Sequence, residues 1–173
     1  MKPGTILIVG AKGTLGQALV NEFTQEGYSV LGWDREELDV TDPTAVNEKI
    51  SSLSPALLIN ATANNAVDKI EEDPEAFALA QAINGYTPGY LAAVARELAI
   101  PFVHFSTDYV FSGMQGTPYI EDVQPDPISR YGETKFLGEK EVEKAGGQYY
   151  IIRLSRLFGK AGTSAQAKRS FVD

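Results

Sequence analysis

The sequence predicts an α/β fold: a doubly wound, mostly parallel sheet with helices on both faces. Three observations carry this. Short apolar runs rich in β-branched and aromatic residues recur along the 173 residues, and stretches of helical period separate them. Glycine, proline or a capping side chain stands at most junctions. Strands spaced by helices join in parallel through crossovers, and a strand buried on both faces reads as a continuous apolar run.

In chain order, TILIV at 5–9 is the first strand, and the loop GAKGTLG leads from it into a helix over 15–26 that Gly27 closes. YSVLGW at 28–33 is the second strand, and LDV at 38–40 reads as a further short one. Asp42 then opens a helix over 43–53 with proline in its first turn. ALLIN at 56–60 is the next strand. Residues 74–99 read as helical, and NGYTP at 84–88 is placed to kink or split them, since Pro88 lacks an N–H and crowds the preceding turn. EEDPE at 71–75 suits a solvated helix start, where carboxylates meet the positive end of the dipole. FVHFS at 102–106 follows, with His104 read as a satisfied core or strand-face histidine. Residues 107–127 show no period, and a loop that long inside a domain is usually functional. A helix over 129–145 closes at Gly146, and YYIIRL at 149–154 is the last strand. The polar KAGTSAQAKR, in which Lys160, Lys168 and Arg169 suit a polar loop, then leads to SFVD, which reads as the opening of another helix.

The bulk numbers narrow the function. A hydrophobic content of 43% suffices for one core, so residues 1–173 are read as one domain. With 15 basic against 23 acidic residues, the net charge of −8 argues against nucleic-acid or membrane-surface partners. An anionic ligand must therefore be held locally. The absence of cysteine and the single histidine exclude disulfides, thiolate catalysis and Cys- or His-rich metal sites, so no metal is expected. The apolar run near the N-terminus is five residues long, short of a signal peptide or a membrane span, which predicts a cytoplasmic setting.

The glycine loop supplies the local anion holder. Gly10, Gly13 and Gly16 stand at three-residue spacing between a strand and a helix, with Thr14 and Leu15 at the helix start. Such glycines permit the tight turn, close approach of backbone to a pyrophosphate, and tight helix-on-strand packing. This context predicts a Rossmann-like dinucleotide site. Asp34, at the end of the second strand, is placed for the adenosine ribose hydroxyls and favours NAD by repelling a 2′-phosphate. Adjacent Arg35 suits such a phosphate, so NADPH and NADH both stay open.

Tyr131 and Lys135 lie four apart on the helix over 129–145, which puts their polar tips on one face. A cation there would favour the phenolate and lower the tyrosine pKa from about 10, making a proton donor usable near neutral pH. The spacing alone also arises by coincidence on surface helices. Its meaning depends on NATANNAVDK at 60–69 and STDYVFSG at 106–113, whose threonine precedes Tyr131 by 24 residues.

With these strings the chain resembles the extended short-chain dehydrogenases, most closely the dTDP-4-dehydrorhamnose reductase family. The resemblance implies Tyr131 as catalytic proton donor, Lys135 as the group that binds nicotinamide ribose and tunes it, and Thr107 as the hydroxyl that orients the substrate carbonyl. It implies cofactor contacts at Ala61 and Ala63, and at Asp39 and Val40 near the adenine. It assigns Asn84 to a backbone distortion and a water relay, and sets Asp108 and Tyr109 on the substrate side; Arg156, by its own chemistry, suits either a substrate pyrophosphate or a surface or interdomain salt bridge. The reaction implied is reduction of the keto group of a nucleotide-linked 4-keto-6-deoxy sugar. Related dehydratases place Asp-Glu after the threonine; here Asp108-Tyr109 stands there, which suits reduction and not elimination of water. The family pattern is departed from at Asn64, Asn65 and Arg156. A non-catalytic nucleotide-binding subunit resembling the regulatory subunit of methionine adenosyltransferase, and a sugar-nucleotide epimerase, are the alternatives. Extended enzymes of this kind continue for roughly another hundred residues that build the sugar-nucleotide pocket, so a truncated substrate part, weak activity of this chain alone and an optional homodimer are the remaining expectations.

Overall fold

A computed structural model describes residues 4–163. The expected helix opening at 170–173, Lys168 and Arg169 lie outside the described residues. Five strands form one sheet in the order β2-β1-β3-β4-β5, and every pairing is parallel. They are β1 (Thr5–Val9), β2 (Ser29–Trp33), β3 (Leu57–Asn60), β4 (Phe102–Thr107) and β5 (Tyr149–Leu154). The helices are α1 (Thr14–Gln25), α2 (Pro43–Leu53), α3 (Val67–Glu72), α4 (Pro74–Ala80), α5 (Thr87–Glu97) and α6 (Arg130–Ala145).

Both faces of the sheet are used, as the continuous apolar runs require. Leu7, Val9, Leu58 and Phe102 point toward α2, α5 and α6, where Val46, Ile50, Leu91 and Val142 complete a core. Ile6, Ile8 and Ile59 point the other way and pack on Leu19, Val20 and Phe23 of α1. Each fully buried aliphatic side chain contributes about 1.5–3 kcal/mol, so these inner strands carry much of the stability. Among the described residues α1 covers only the β1 side of that second face, and Tyr150 and Ile152 of β5 are exposed.

The helix ends follow local chemistry. Asp42 Oδ1 accepts the Thr44 and Ala45 N–H groups, Asp73 accepts from Glu75, and Ser129 Oγ accepts from Gly132 at the start of α6. The 74–99 stretch is split, as NGYTP predicts, by a π-helical turn over Gln81–Tyr86. Its distortion is pinned by Thr87, whose hydroxyl is within hydrogen-bond reach of Ala82 O (3.0 Å) and Val40 O (2.9 Å).

Residues 38–40 do not form the expected strand. Glu37 and Leu38 donate their N–H groups to Asp34 O, closing a turn directly after β2. Leu38 is still buried in the core, so its apolar character serves packing without a ladder. The sheet edge is therefore β2. The sequence pattern does not mark α3 beyond its acidic end, and a 3₁₀ turn, Asp108–Val110, interrupts the otherwise irregular 107–127 stretch.

The topology fixes where a ligand sits. The chain runs from β1 to β2 on one side, then crosses to β3 on the other, so the loops after β1 and β3 diverge. In open parallel sheets ligands occupy the crevice at such a switch point, at the carboxyl ends of the strands.

Candidate active site

A cleft of about 850 Å³ opens at that edge. Gly13, Thr14 and Leu15 form one wall, Ala61 and Ala63 the floor beyond β3, and Thr107, Tyr131 and Lys135 the opposite wall. A smaller recess of about 100 Å³ adjoins it, lined by Gly10, Asp34, Arg35, Val40 and Ile83 among others.

The glycine loop is shaped by close approach. Gly10 sits at φ +83°, and a Cβ there would lie 2.8 Å from the Ala61 backbone, so glycine is required twice over. A Cβ on Gly16 would lie 2.1 Å from Gly10 O, which shows how tightly α1 seats against the turn. Gly13 caps α1 without any side-chain hydrogen bond, and the first turn carries no acidic residue. An uncapped helix start facing a cleft is an anion site, so this loop fits a dinucleotide pyrophosphate.

Asp34 is held at the rim of the recess. Its two carboxylate oxygens accept the Lys12 and Arg35 N–H groups, each at 3.0 Å. The Lys12 ammonium pairs with Glu36 at 2.8 Å, mostly in solvent. Arg35 is exposed and lines both cavities. Val40 lines the recess. Asp39 behaves differently: its Oδ1 is taken by Thr41 N and Oγ1 at 2.9 and 2.7 Å, and this turn lowers its pKa. Its carboxylate therefore serves the turn after β2 and lines neither cavity. Gly16 is likewise behind the loop wall, a packing residue.

On the opposite wall Tyr131 and Lys135 emerge from one face of α6, both buried. Glu71 of α3 accepts the Arg130 and Tyr131 N–H groups at 3.1 Å and fixes the start of the helix. Burial pushes the Tyr131 phenol up to about 12; the Thr107 hydroxyl, hydrogen-bonded to it, pulls the other way, and Asp108 and Tyr109 add to the rise. The expected depression of the phenol by Lys135 is not found. The physical reason lies in the lysine: burial lowers it to about 8 against an opposing pull from Glu139, and its Nζ donates to Phe105 O at 2.7 Å. The i, i+4 spacing sets direction along a helix but carries no information on burial.

Thr107, at the carboxyl end of β4, is buried, and its Oγ1 accepts Tyr109 N and is 3.2 Å from Asp108 Oδ1. Asp108 and Tyr109 lie on the exposed 3₁₀ turn, and the Tyr109 ring meets Tyr131 edge-on with centroids 5.5 Å apart. Arg156 is exposed after β5 and lines neither cavity, although its neighbours Ser155 and Leu157 line the larger one.

Several supporting residues carry weak sequence signals. Asn84, fully buried in the π-helical turn, accepts Asn64 N at 2.8 Å and donates to Asn64 O at 2.9 Å and Thr134 Oγ1 at 3.1 Å. It thus ties the loop after β3 to α6. Gly138 lets α6 approach that turn, since a Cβ there would lie 2.2 Å from Asn84 O. Asn60 Oδ1 accepts Thr62 N and Oγ1, and its amide meets His104 Nδ1 at 3.1 Å. His104 is only half satisfied: Nε2, like Ser106 Oγ, has no partner among the described residues, and burial holds the ring neutral. The segment after β5 also returns to the glycine loop, where Thr163 N donates to Lys12 O and Gln17 bridges to Ala161 O. That contact is tertiary and has no periodic signature.

Residues 4–170 match the family model described as the RmlD substrate binding domain. The dTDP-4-dehydrorhamnose reductase of Streptomyces griseus is 39% identical over 163 residues, covering 94% of this chain and 53% of its own length. The crystal structure of a dTDP-4-dehydrorhamnose reductase from Clostridium acetobutylicum superposes with a TM-score of 0.88 at 37% identity, over 97% of this chain and 56% of that one. The Bacillus anthracis dTDP-4-dehydrorhamnose reductase, solved in complex with NADP, gives a TM-score of 0.89 at 32% identity, over 98% of this chain and 57% of that one. The chain thus spans about half the length of the curated relatives it matches.

Proposed function

Since the chain belongs to the RmlD substrate binding domain family, we propose that residues 1–173 form the NAD(P)-binding domain of a reductase acting on the keto group of a nucleotide-linked 4-keto-6-deoxy sugar. The observation that carries this reading is the single cleft in which the glycine loop faces Thr107, Tyr131 and Lys135.

When bound, NADPH or NADH supplies the hydride that reduces the carbonyl carbon. The start of α1 at Thr14 holds the pyrophosphate, while Asp34 and Arg35 set the choice between ribose hydroxyls and a 2′-phosphate. Tyr131 gives its proton to the carbonyl oxygen. A phenol at about 12 is fully protonated at neutral pH, which suits a donor. Thr107 holds the same oxygen as charge develops, and the Lys135 ammonium stabilises the phenolate left behind. Asp108 and Tyr109 contribute to the substrate wall, and no carboxylate follows Asp108 to serve as the base of a dehydratase. The same reading has a cytoplasmic setting, a nucleotide-sugar partner, no nucleic-acid or membrane partner, and room for a homodimer. Among the described residues no helix is long and apolar enough to cross a membrane.

The test is oxidation of NADPH and of NADH by the full chain, mixed with 4-keto-6-deoxy sugar nucleotides. Substrate-dependent oxidation supports the reading. Dinucleotide binding without oxidation across these substrates, together with tight association with a partner protein, rejects it in favour of a nucleotide-binding subunit, and sugar conversion without net nicotinamide change points to an epimerase.

A further inference from the structure

One buried ion pair next to the cleft has no part in the proposed chemistry. Glu139 stands one helical turn beyond Lys135 on the same face of α6, and its side chain is 1% exposed. Arg153 of β5 grips it with two hydrogen bonds, Nε to Oε1 at 3.0 Å and an Nη to Oε2 at 2.8 Å. The same guanidinium donates to Glu121 O at 3.2 Å and lies over the Phe111 ring. A buried carboxylate is costly even when paired, and replacing such a pair with apolar side chains is often neutral or stabilising. Stability alone therefore does not account for it.

Its position does. Lys135 is buried, and the other groups around it offer no compensating charge. His104 of β4 is neutral, Glu71 of α3 is spent on the first amides of α6, and Asp108 and Tyr109 are exposed on the turn. Asn84 in the π-helical turn is uncharged, and Tyr131 keeps its proton. Glu139 is the carboxylate that supports the ammonium against burial. Resting on the reading of Lys135 given above, we propose that the Glu139–Arg153 pair is a positioning device that keeps Lys135 charged inside the cleft. Arg153 holds the carboxylate in place from the far side, and Glu139 presents its charge one turn from the lysine.

The test titrates Lys135 itself by NMR of isotope-labelled lysine side chains in the full chain, alongside the pH profile of dinucleotide oxidation. Glu139→Gln is expected to lower the Lys135 midpoint by about one unit, a tenfold fall in the ratio of ammonium to free amine at fixed pH. The alkaline limb of activity moves with it, and Glu139→Asp restores most of the shift. A folded Glu139→Gln chain with an unmoved midpoint overturns the proposal. If that variant does not fold, Glu139→Gln combined with Arg153→Gln leaves no stranded charge, and a smaller fall in the same direction is expected. A lowered midpoint in a chain that oxidises no dinucleotide and associates tightly with a partner protein upholds the pair's role and rejects the reductase reading; activity with an unmoved midpoint does the reverse.

Discussion

Replacing Gly16 with alanine separates packing from ligand binding at the glycine loop. The added Cβ would lie 2.1 Å from Gly10 O, 2.8 Å from Ala11 Cα and 2.9 Å from Gly10 C. All three are backbone atoms, so no side chain can swing away, and α1 must lift from the turn by roughly 1 Å to restore ordinary contact. Alanine gains about 1 kcal/mol over glycine in a helix. Overpacking of this kind costs about 1–3 kcal/mol or more, and a clash against fixed backbone belongs at the upper end. The net loss is about 2 kcal/mol, which for a chain of this size lowers Tm by about 4–8 °C. Gly13→Ala is the contrast. Its Cβ would meet only Gly10 O, at 3.3 Å, with φ at −70°, so the fold accepts it within about 0.5 kcal/mol. Its methyl instead enters the cleft, and dinucleotide affinity should fall at least about tenfold, or 1.4 kcal/mol. Thermal unfolding by circular dichroism reads the first effect, and titration of the sole tryptophan, Trp33 beside the loop, reads the second. A Gly16→Ala chain that melts with the wild type, or a Gly13→Ala chain that binds like it, would refute the reasoning.

Three further outcomes are expected. Lys135 has its folded pKa depressed to about 8 from 10.5, so between those values the unfolded chain binds more protons and stability rises with pH. The rise from this group is about 3 kcal/mol and should vanish in Lys135→Met, as read from urea midpoints between about pH 7 and pH 10. Asn84→Ala removes three hydrogen bonds and strips Asn64 of two partners, costing about 2–4 kcal/mol in urea unfolding; a loss below about 1 kcal/mol would contradict the linking role. Asp34→Ala should shift the ratio of NADPH to NADH affinity about tenfold toward NADPH, and an unchanged ratio would remove Asp34 from cofactor choice.

The strands were legible because each centres on a short apolar run, and four of the helices because proline, glycine or a short polar side chain marks an end. LDV failed because burial of Leu38 mimics a strand while Asp34 O draws the backbone into a turn. The NGYTP signal located a break but not its form, since a π-helical turn depends on Thr87 reaching Val40 O across the fold. α3 has only Val67 and Ile70 as apolar marks and no side-chain cap, too little for a periodic signal. At the site, spacing paired Tyr131 with Lys135 and the family resemblance added Thr107, but the charge states did not follow. Burial decides those, and the buried support of Glu139, Asn60 and Asn84 comes from separate elements that meet only in the folded chain.

The most direct test of the central claim is Tyr131→Phe, which deletes one hydroxyl and leaves the ring that packs on Tyr109. The account predicts that oxidation of NADPH or NADH with a 4-keto-6-deoxy sugar nucleotide falls by about 10²–10⁴-fold while dinucleotide affinity stays unchanged. A rate within a few-fold of the wild type would contradict Tyr131 as the proton donor.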